Sequence, residues 1–213
     1  MEGQISSDTI EKWLKAWSLS RQLPLPVRYK SGLMVDVGEK KQRTRYVFPN
    51  CNDDFFELAE TINEPWVFLK VCTFFNEFKN KIPERWMLQP QGYMMYCSSP
   101  MTFTDKNLPD EYRFEYRQYE STFVVNIMIN NKVASSGRIV FVDDLAVYDR
   151  ILTENDHRRK GLAGLVMKEL EKIALSKGFS HSFLVATEQG KKLYESLGWK
   201  LYSPYTSIVI ERE

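Results

Sequence analysis

Between Tyr112 and Thr153 the chain runs through four strand-like segments with almost nothing between them. YRFEYRQYE (112–120) alternates polar and apolar residues, STFVVNIMI (121–129) is rich in β-branched residues, an Asn-Asn-Lys turn leads into VASSGRIVFV (133–142), and LAVYDRILT (145–153) follows. Connections this short cannot carry a crossover, so the segments must form an antiparallel meander. The apolar period then changes. From Gly161 onward Leu162, Leu165, Val166, Leu170, Ile173 and Ala174 recur at helical spacing, and Lys177-Gly178 supplies a stop. SFLVAT predicts a short strand, EQGKKLYESLG a short helix and WKLYSPYTSIVIE a final strand or bent pair. Sheet first and helices later predicts an α+β class: a mixed, mostly antiparallel sheet with flanking helices.

The first hundred residues are less regular. TIEKWLKAWSL places Ile10, Trp13, Leu14 and Trp17 on one helical face. LMVDVG and TRYVFP predict a hairpin, NDDFFELAETI a capped helix, WVFLKVC a strand, FFNEFKNKI a helix and GYMMYC a strand. Two prolines and few large apolar residues between 99 and 110 suggest a boundary. We therefore divide the chain into an N-terminal α+β region, 1–100, and a second domain, 101–213.

Composition excludes several classes. The 29 basic and 28 acidic side chains balance, which argues against a nucleic-acid-binding module. No apolar run approaches the roughly 20 residues that cross a bilayer, and the first residues resemble neither a signal nor a transit peptide. Cys51, Cys72 and Cys97 are odd in number and widely spaced, which argues against a disulfide framework and a metal site and for a reducing, cytoplasmic setting. Self-association is left open.

One stretch carries chemistry. In His157-Arg-Arg-Lys-Gly-Leu-Ala-Gly164 three cations stand at a helix start, where the dipole is already positive. Glycine and alanine let a group approach the backbone, and the first helical N–H groups have no partner inside the helix. With Arg158, Arg159 and Lys160 they make an anion site, most simply for a phosphate. Neither a GxxxxGK[ST] loop nor a GxGxxG fingerprint is present.

Arg158-x-x-Gly161-x-Ala163 resembles the [QR]-x-x-G-x-[GA] signature of the Gcn5-related N-acetyltransferase (GNAT) superfamily, and Leu193-Tyr-Glu-Ser-Leu-Gly-Trp199 is similar to a second segment of that family. The resemblance covers residues 111–213. It implies an acetyl group moved from acetyl-CoA to an amine by direct attack on the thioester, without a metal. Ile151, Leu152, Thr153, the loop Arg158, Arg159, Lys160, Gly161, Leu162, Ala163 and Gly164, and Thr187 and Tyr194 would then bind the cofactor. Thr153, Thr187 and Gly190 depart from the residues the family prefers there. In the family the strand before the loop bulges and parts from its neighbour, and a backbone N–H near Leu152 or Thr153 would stabilise the oxyanion. The tyrosine at the Tyr194 position would protonate the leaving thiolate.

For the base we take Asp149, which shares strand parity with Ile151 and Thr153; Asp143, Asp144 and Glu154 are nearby alternatives. His157 suits a helix cap better than a proton acceptor. Family members place two helices between the first two strands to shape the acceptor pocket, and here those strands are nearly contiguous. Residues 1–100 must supply that wall, with Trp13, Trp17, Trp66 and Trp86 as candidates, and their order of elements would permit a degenerate copy of the same fold. The partners implied are acetyl-CoA and an unidentified amine, small or on a protein, without nucleic acid or membrane. The alternative is a non-catalytic CoA-binding or interaction module that keeps the fold.

Overall fold

A computed structural model describes residues 5–211. Helix α1, Ser7–Ser20, opens with the Ser6 side chain accepting from the Thr9 N–H, a cap worth about 1 kcal/mol. It buries Ile10, Trp13, Leu14 and Trp17. Strands β1 (Val27–Tyr29), β2 (Gly32–Glu39) and β3 (Gln42–Phe48) pair antiparallel. Helix α2, Asp53–Thr61, is capped by Asn52 and returns the chain to β4, Val67–Val71, parallel to β3.

FFNEFKNKI is not the helix its sequence suggests. It forms two single 3-10 turns, Phe75–Glu77 and Lys79–Lys81. Phe78 turns inward against Phe55 and Phe75, and Pro83 forces Ile82 into an extended conformation, which ends any helix there. Strands β5 (Met87–Leu88) and β6 (Gly92–Cys97) follow.

After the connector come β7 (Arg113–Tyr119), β8 (Thr122–Ile129), β9 (Lys132–Val142) and β10 (Leu145–Thr153), an antiparallel meander. Asn130 and Asn131 both have positive φ, as a tight hairpin turn between β8 and β9 requires. Helix α3, Leu162–Ser176, crosses over to β11, His181–Thr187, parallel to β10; α4, Glu188–Ser196, and the single strand β12, Lys200–Val209, complete the chain. β12 bulges between Leu201 and Ser203, just before Pro204.

The strand order is β1-β2-β3-β4-β12-β6-β11-β10-β9-β8-β7, with β5 beside β12. The two halves exchange strands: β6, from the first half, lies against β11, and β12, from the second, lies against β4. Both halves use the same device, a meander whose last strand leads through a helix to a parallel neighbour: β3–α2–β4 and β10–α3–β11. Helix α1 covers one face of the sheet, sharing a core with Val147 and Phe183; α3 covers the other, sharing a core with Ala146, Tyr148 and Leu184. Among the described residues no helix is long and apolar enough to cross a membrane.

Candidate active site

The pairing of β10 with β11 runs from Leu145–His181 to Tyr148–Leu184 and stops. β10 continues to Thr153 and β11 to Thr187, so the strands part from Asp149 and Val185 onward. The cause lies on β10's other side. Asp149 pairs with Arg138, yet Leu152 pairs with Ser136, so one extra residue is accommodated and Arg150 takes φ +52°. The Glu154 N–H donates to the Ala134 carbonyl of β9. By strand alternation Thr153 therefore directs its own N–H the other way, into the gap left by β11.

This bulge overturns the parity argument. Beyond it Ile151 lies over Gly137 on the α3 face, where a Cβ on Gly137 would meet Ile151 Cδ1 and Val166 Cγ1 at 2.6 Å. Asp149 faces α1 instead. Its carboxylate accepts from Ser20 Oγ at 2.7 Å and from Arg21 Nε and Nη2 at 3.1 and 2.9 Å. Asp143 and Asp144 sit in the turn at the far end of β10, with Asp144 bound to Lys12.

The anion loop opens α3 as its glycine suggests. Gly161 caps the helix with φ +83°, and no side chain satisfies the first N–H groups. Arg158 and Arg159 are exposed, and Arg158 Nε donates to the Thr153 carbonyl at 3.2 Å. Lys160 is held aside: its Nζ donates to the Tyr112 hydroxyl at 3.0 Å, which lies 2.9 Å from His157 Nδ1. His157 thus pairs with Tyr112 and does not cap α3. The side chain of Leu162 is buried, so what it presents to a ligand is backbone; Ala163 and Gly164 are half-buried.

A cavity of about 260 Å³ lies here, lined by Gly161, Gly164, Lys168, Thr104 and Lys106. A Cβ on Gly164 would meet nothing within 4 Å, and Lys106 Nζ comes within 3.5 Å of the Cβ position of Gly161. The connector holds Lys106 there: the Met101 N–H donates to Glu171, and the Thr102 N–H to the Leu197 carbonyl. Sequence reasoning missed Lys106 because it lies 55 residues before Gly161.

Tyr194 stands on α4 beside the splay, 7% exposed, with its ring against Trp199 and Gly190. Burial pushes its phenol above the ordinary tyrosine range, and the Asp149 charge adds to the shift. Thr187 caps α4, its Oγ accepting from the Gly190 N–H, which leaves the hydroxyl proton free. Of the tryptophans proposed as an acceptor wall, Trp17 lies beside Asp149's partner Arg21, whose guanidinium is 4.7 Å from the ring centre. Trp86 is core, its Nε1 donating to the Ala59 carbonyl; Trp66, half-buried, lies at the rim of a shallow cavity with Gly38 and Lys40. No group of three His, Cys, Asp or Glu side chains among the described residues could hold a metal ion.

Residues 91–199 match the model of the acetyltransferase (GNAT) family. An uncharacterized N-acetyltransferase, YjcF, from Bacillus subtilis (strain 168) is 29% identical over 108 residues, 51% of this chain and 76% of its own. A GCN5-related N-acetyltransferase from Kribbella flavida superposes with a TM-score of 0.67 at 11% identity, over 98% of this chain and 96% of its own. A tandem GNAT protein from the clavulanic acid biosynthesis pathway gives 0.58 at 8% identity, over 87% and 82%. With about half of its length matched by the family model, and with the splayed strands and the glycine-opened helix that carry the signature, this chain belongs to the GNAT acetyltransferase family.

Proposed function

We propose that the protein is an N-acetyltransferase that moves an acetyl group from acetyl-CoA to a primary amine. The observation that carries this reading is the parting of β10 and β11 directly between the uncapped start of α3 and the Tyr194 side chain. The cavity suits an anionic cofactor: glycine backbone, free helical N–H groups and the cations Lys106 and Lys168 converge on it. Bound acetyl-CoA would supply an activated thioester.

The chain's own residues divide the remaining work. The amides opening α3, with Arg158, Arg159 and Lys106, hold the diphosphate. Lys160 joins them on leaving Tyr112, and the backbone edge Ile151–Thr153 lines the path of the thiol-bearing arm. With acetyl-CoA seated in the gap, the Thr153 N–H would donate to the carbonyl oxygen as negative charge develops on it. Tyr194, kept protonated by burial, gives its proton to the departing sulfur. Asp149 lies across the splay and its charge reaches Tyr194. Committed to Arg21 and Ser20, it attracts and orients the incoming ammonium and passes the released proton to water.

Titration with CoA and amine-dependent thiol release together test this. Tyr194→Phe should lower turnover by roughly 10²–10⁴-fold while CoA affinity stays as in the wild type. Tight CoA binding with no thiol release from any amine would favour the non-catalytic module instead.

A further inference from the structure

The α1 face of the sheet carries charges that the reaction above does not use. By register, Arg45 of β3, Lys70 of β4 and Tyr205 of β12 share this face: Lys70 pairs with Val47, two residues from Arg45, and with Ser207, two residues from Tyr205. All three are buried, at 8%, 8% and 4% exposure. Lys70 Nζ donates to the Ser207 hydroxyl at 2.7 Å and sits 5.6 Å from the Tyr205 ring centre. The Arg45 guanidinium stacks 3.7 Å from the centre of Trp17, and its hydrogen-bonding partner is the neutral Gln42 amide. The Tyr205 hydroxyl is buried with no partner among the described residues.

Buried cations are ordinarily matched by a carboxylate, and buried hydroxyls by a hydrogen bond. Among the described residues neither Arg45 nor Lys70 is hydrogen-bonded to an acid. Arg21, on the same tryptophan as Arg45, is already neutralised by Asp149. Burial first, and then the charges of Arg45 and Arg21, push the Lys70 ammonium well down from its ordinary range. What fits a guanidinium, an amine that holds its proton best beside a negative charge and a free hydroxyl is a small oxyanion.

The position says which molecule brings it. CoA phosphates would meet the chain on the α3 side. The cationic cluster lies on the α1 side, in line with Asp149, whose charge acts on Arg45. Between them Gly92 of β6 lies against Tyr205 and Val185, whose atoms stand 3.1 and 3.4 Å from its Cβ position, so a ligand bridging the two ends requires Tyr205 to give way. We infer that the acceptor is an amine that also bears a carboxylate, its ammonium meeting Asp149 and its carboxylate received by Arg45, Lys70 and the Tyr205 hydroxyl. The inference rests on the acetyltransferase reading and names the substrate class of that site.

The test is thermal stabilisation of the full chain, in the presence of CoA, by free amino acids, by their C-terminal amides and by phosphoethanolamine. Free amino acids should stabilise and their amides should not. Lys70→Met should weaken the apparent amino-acid affinity roughly ten- to hundredfold, and Tyr205→Phe several-fold. Replacing a buried cation by an apolar isostere is compatible with folding; should Lys70→Met nevertheless fail to fold, Tyr205→Phe, which removes one unpaired hydroxyl, carries the test alone. Equal stabilisation by amides, stabilisation by no amino acid, wild-type affinity in every folded variant, or a response to phosphoethanolamine in place of amino acids overturns the proposal. CoA titrated by itself separates this from the parent reading: stabilisation by CoA with none by amino acids removes the carboxylate site, whereas no binding of CoA removes the acetyltransferase reading.

Discussion

Tyr194 and Asp149 show how differently two residues can be legible. Tyr194 lies in a short contiguous segment on one helix, so the resemblance of Leu193–Trp199 to a family segment was enough to single it out. The orientation of Asp149 depends on an extra residue in β10, invisible to an alternation count, and on Arg21, 128 positions away. Two consequences follow at this scale. Because burial raises the Tyr194 phenol above its ordinary range near ~10, it stays protonated through neutral and mildly alkaline pH. The rate profile should show no fall due to this acid until above pH ~10, measured by thiol release. Asp149→Asn leaves Arg21 without its counter-charge in a half-buried setting, at a cost of about 1–3 kcal/mol. The melting temperature should drop by roughly 2–10 °C and the amine KM should rise, with CoA affinity unchanged.

At the scale of elements, the sheet-then-helix order from Tyr112 onward was readable because each segment has a clear period and a clear stop. The failure at FFNEFKNKI is equally local in cause. Its aromatic residues at three-residue spacing suit a helical face, but Pro83 ends the segment after two single turns that seat Phe78 in the core. The meeting of α3 with the sheet hinges on Gly137. A methyl group there would lie 2.6 Å from both Ile151 Cδ1 and Val166 Cγ1 and 2.9 Å from Leu170 Cδ1. Gly137→Ala should therefore push α3 off β9 and β10, costing about 1–3 kcal/mol by chemical denaturation and disturbing the bulge that opens the cofactor path.

For the whole molecule, neither the strand exchange nor the Arg45–Lys70–Tyr205 cluster could be read from the sequence. Both join segments distant in the sequence: Cys97 pairs with Ser182 and Val71 with Thr206, and Lys70 meets Tyr205 from the other end of the chain. A faint signal did exist: a lone lysine inside the apolar strand VFLKV is an odd residue to bury. The exchange also bears on the division at residue 100. A fragment of residues 101–213 lacks β6, which pairs with both β11 and β12, so both strands would present bare edges in the centre of the sheet. Expressed alone, it should aggregate or show no cooperative unfolding, whereas a fragment starting before Gly92 regains that strand.

The crossing of β6 and β12 also sets a timetable for synthesis. A nascent polypeptide can form β1 to β4 early, but their open flank is closed by Thr206–Val209, which leave the ribosome long afterwards. Until then the β4 edge is a sticky surface, guarded by chaperones or by nothing. Ribosome-stalled chains ending near residue 199 should be cut readily by protease in the first half as well as in the second, and lengthening them past residue 209, with the exit tunnel cleared, should protect both together.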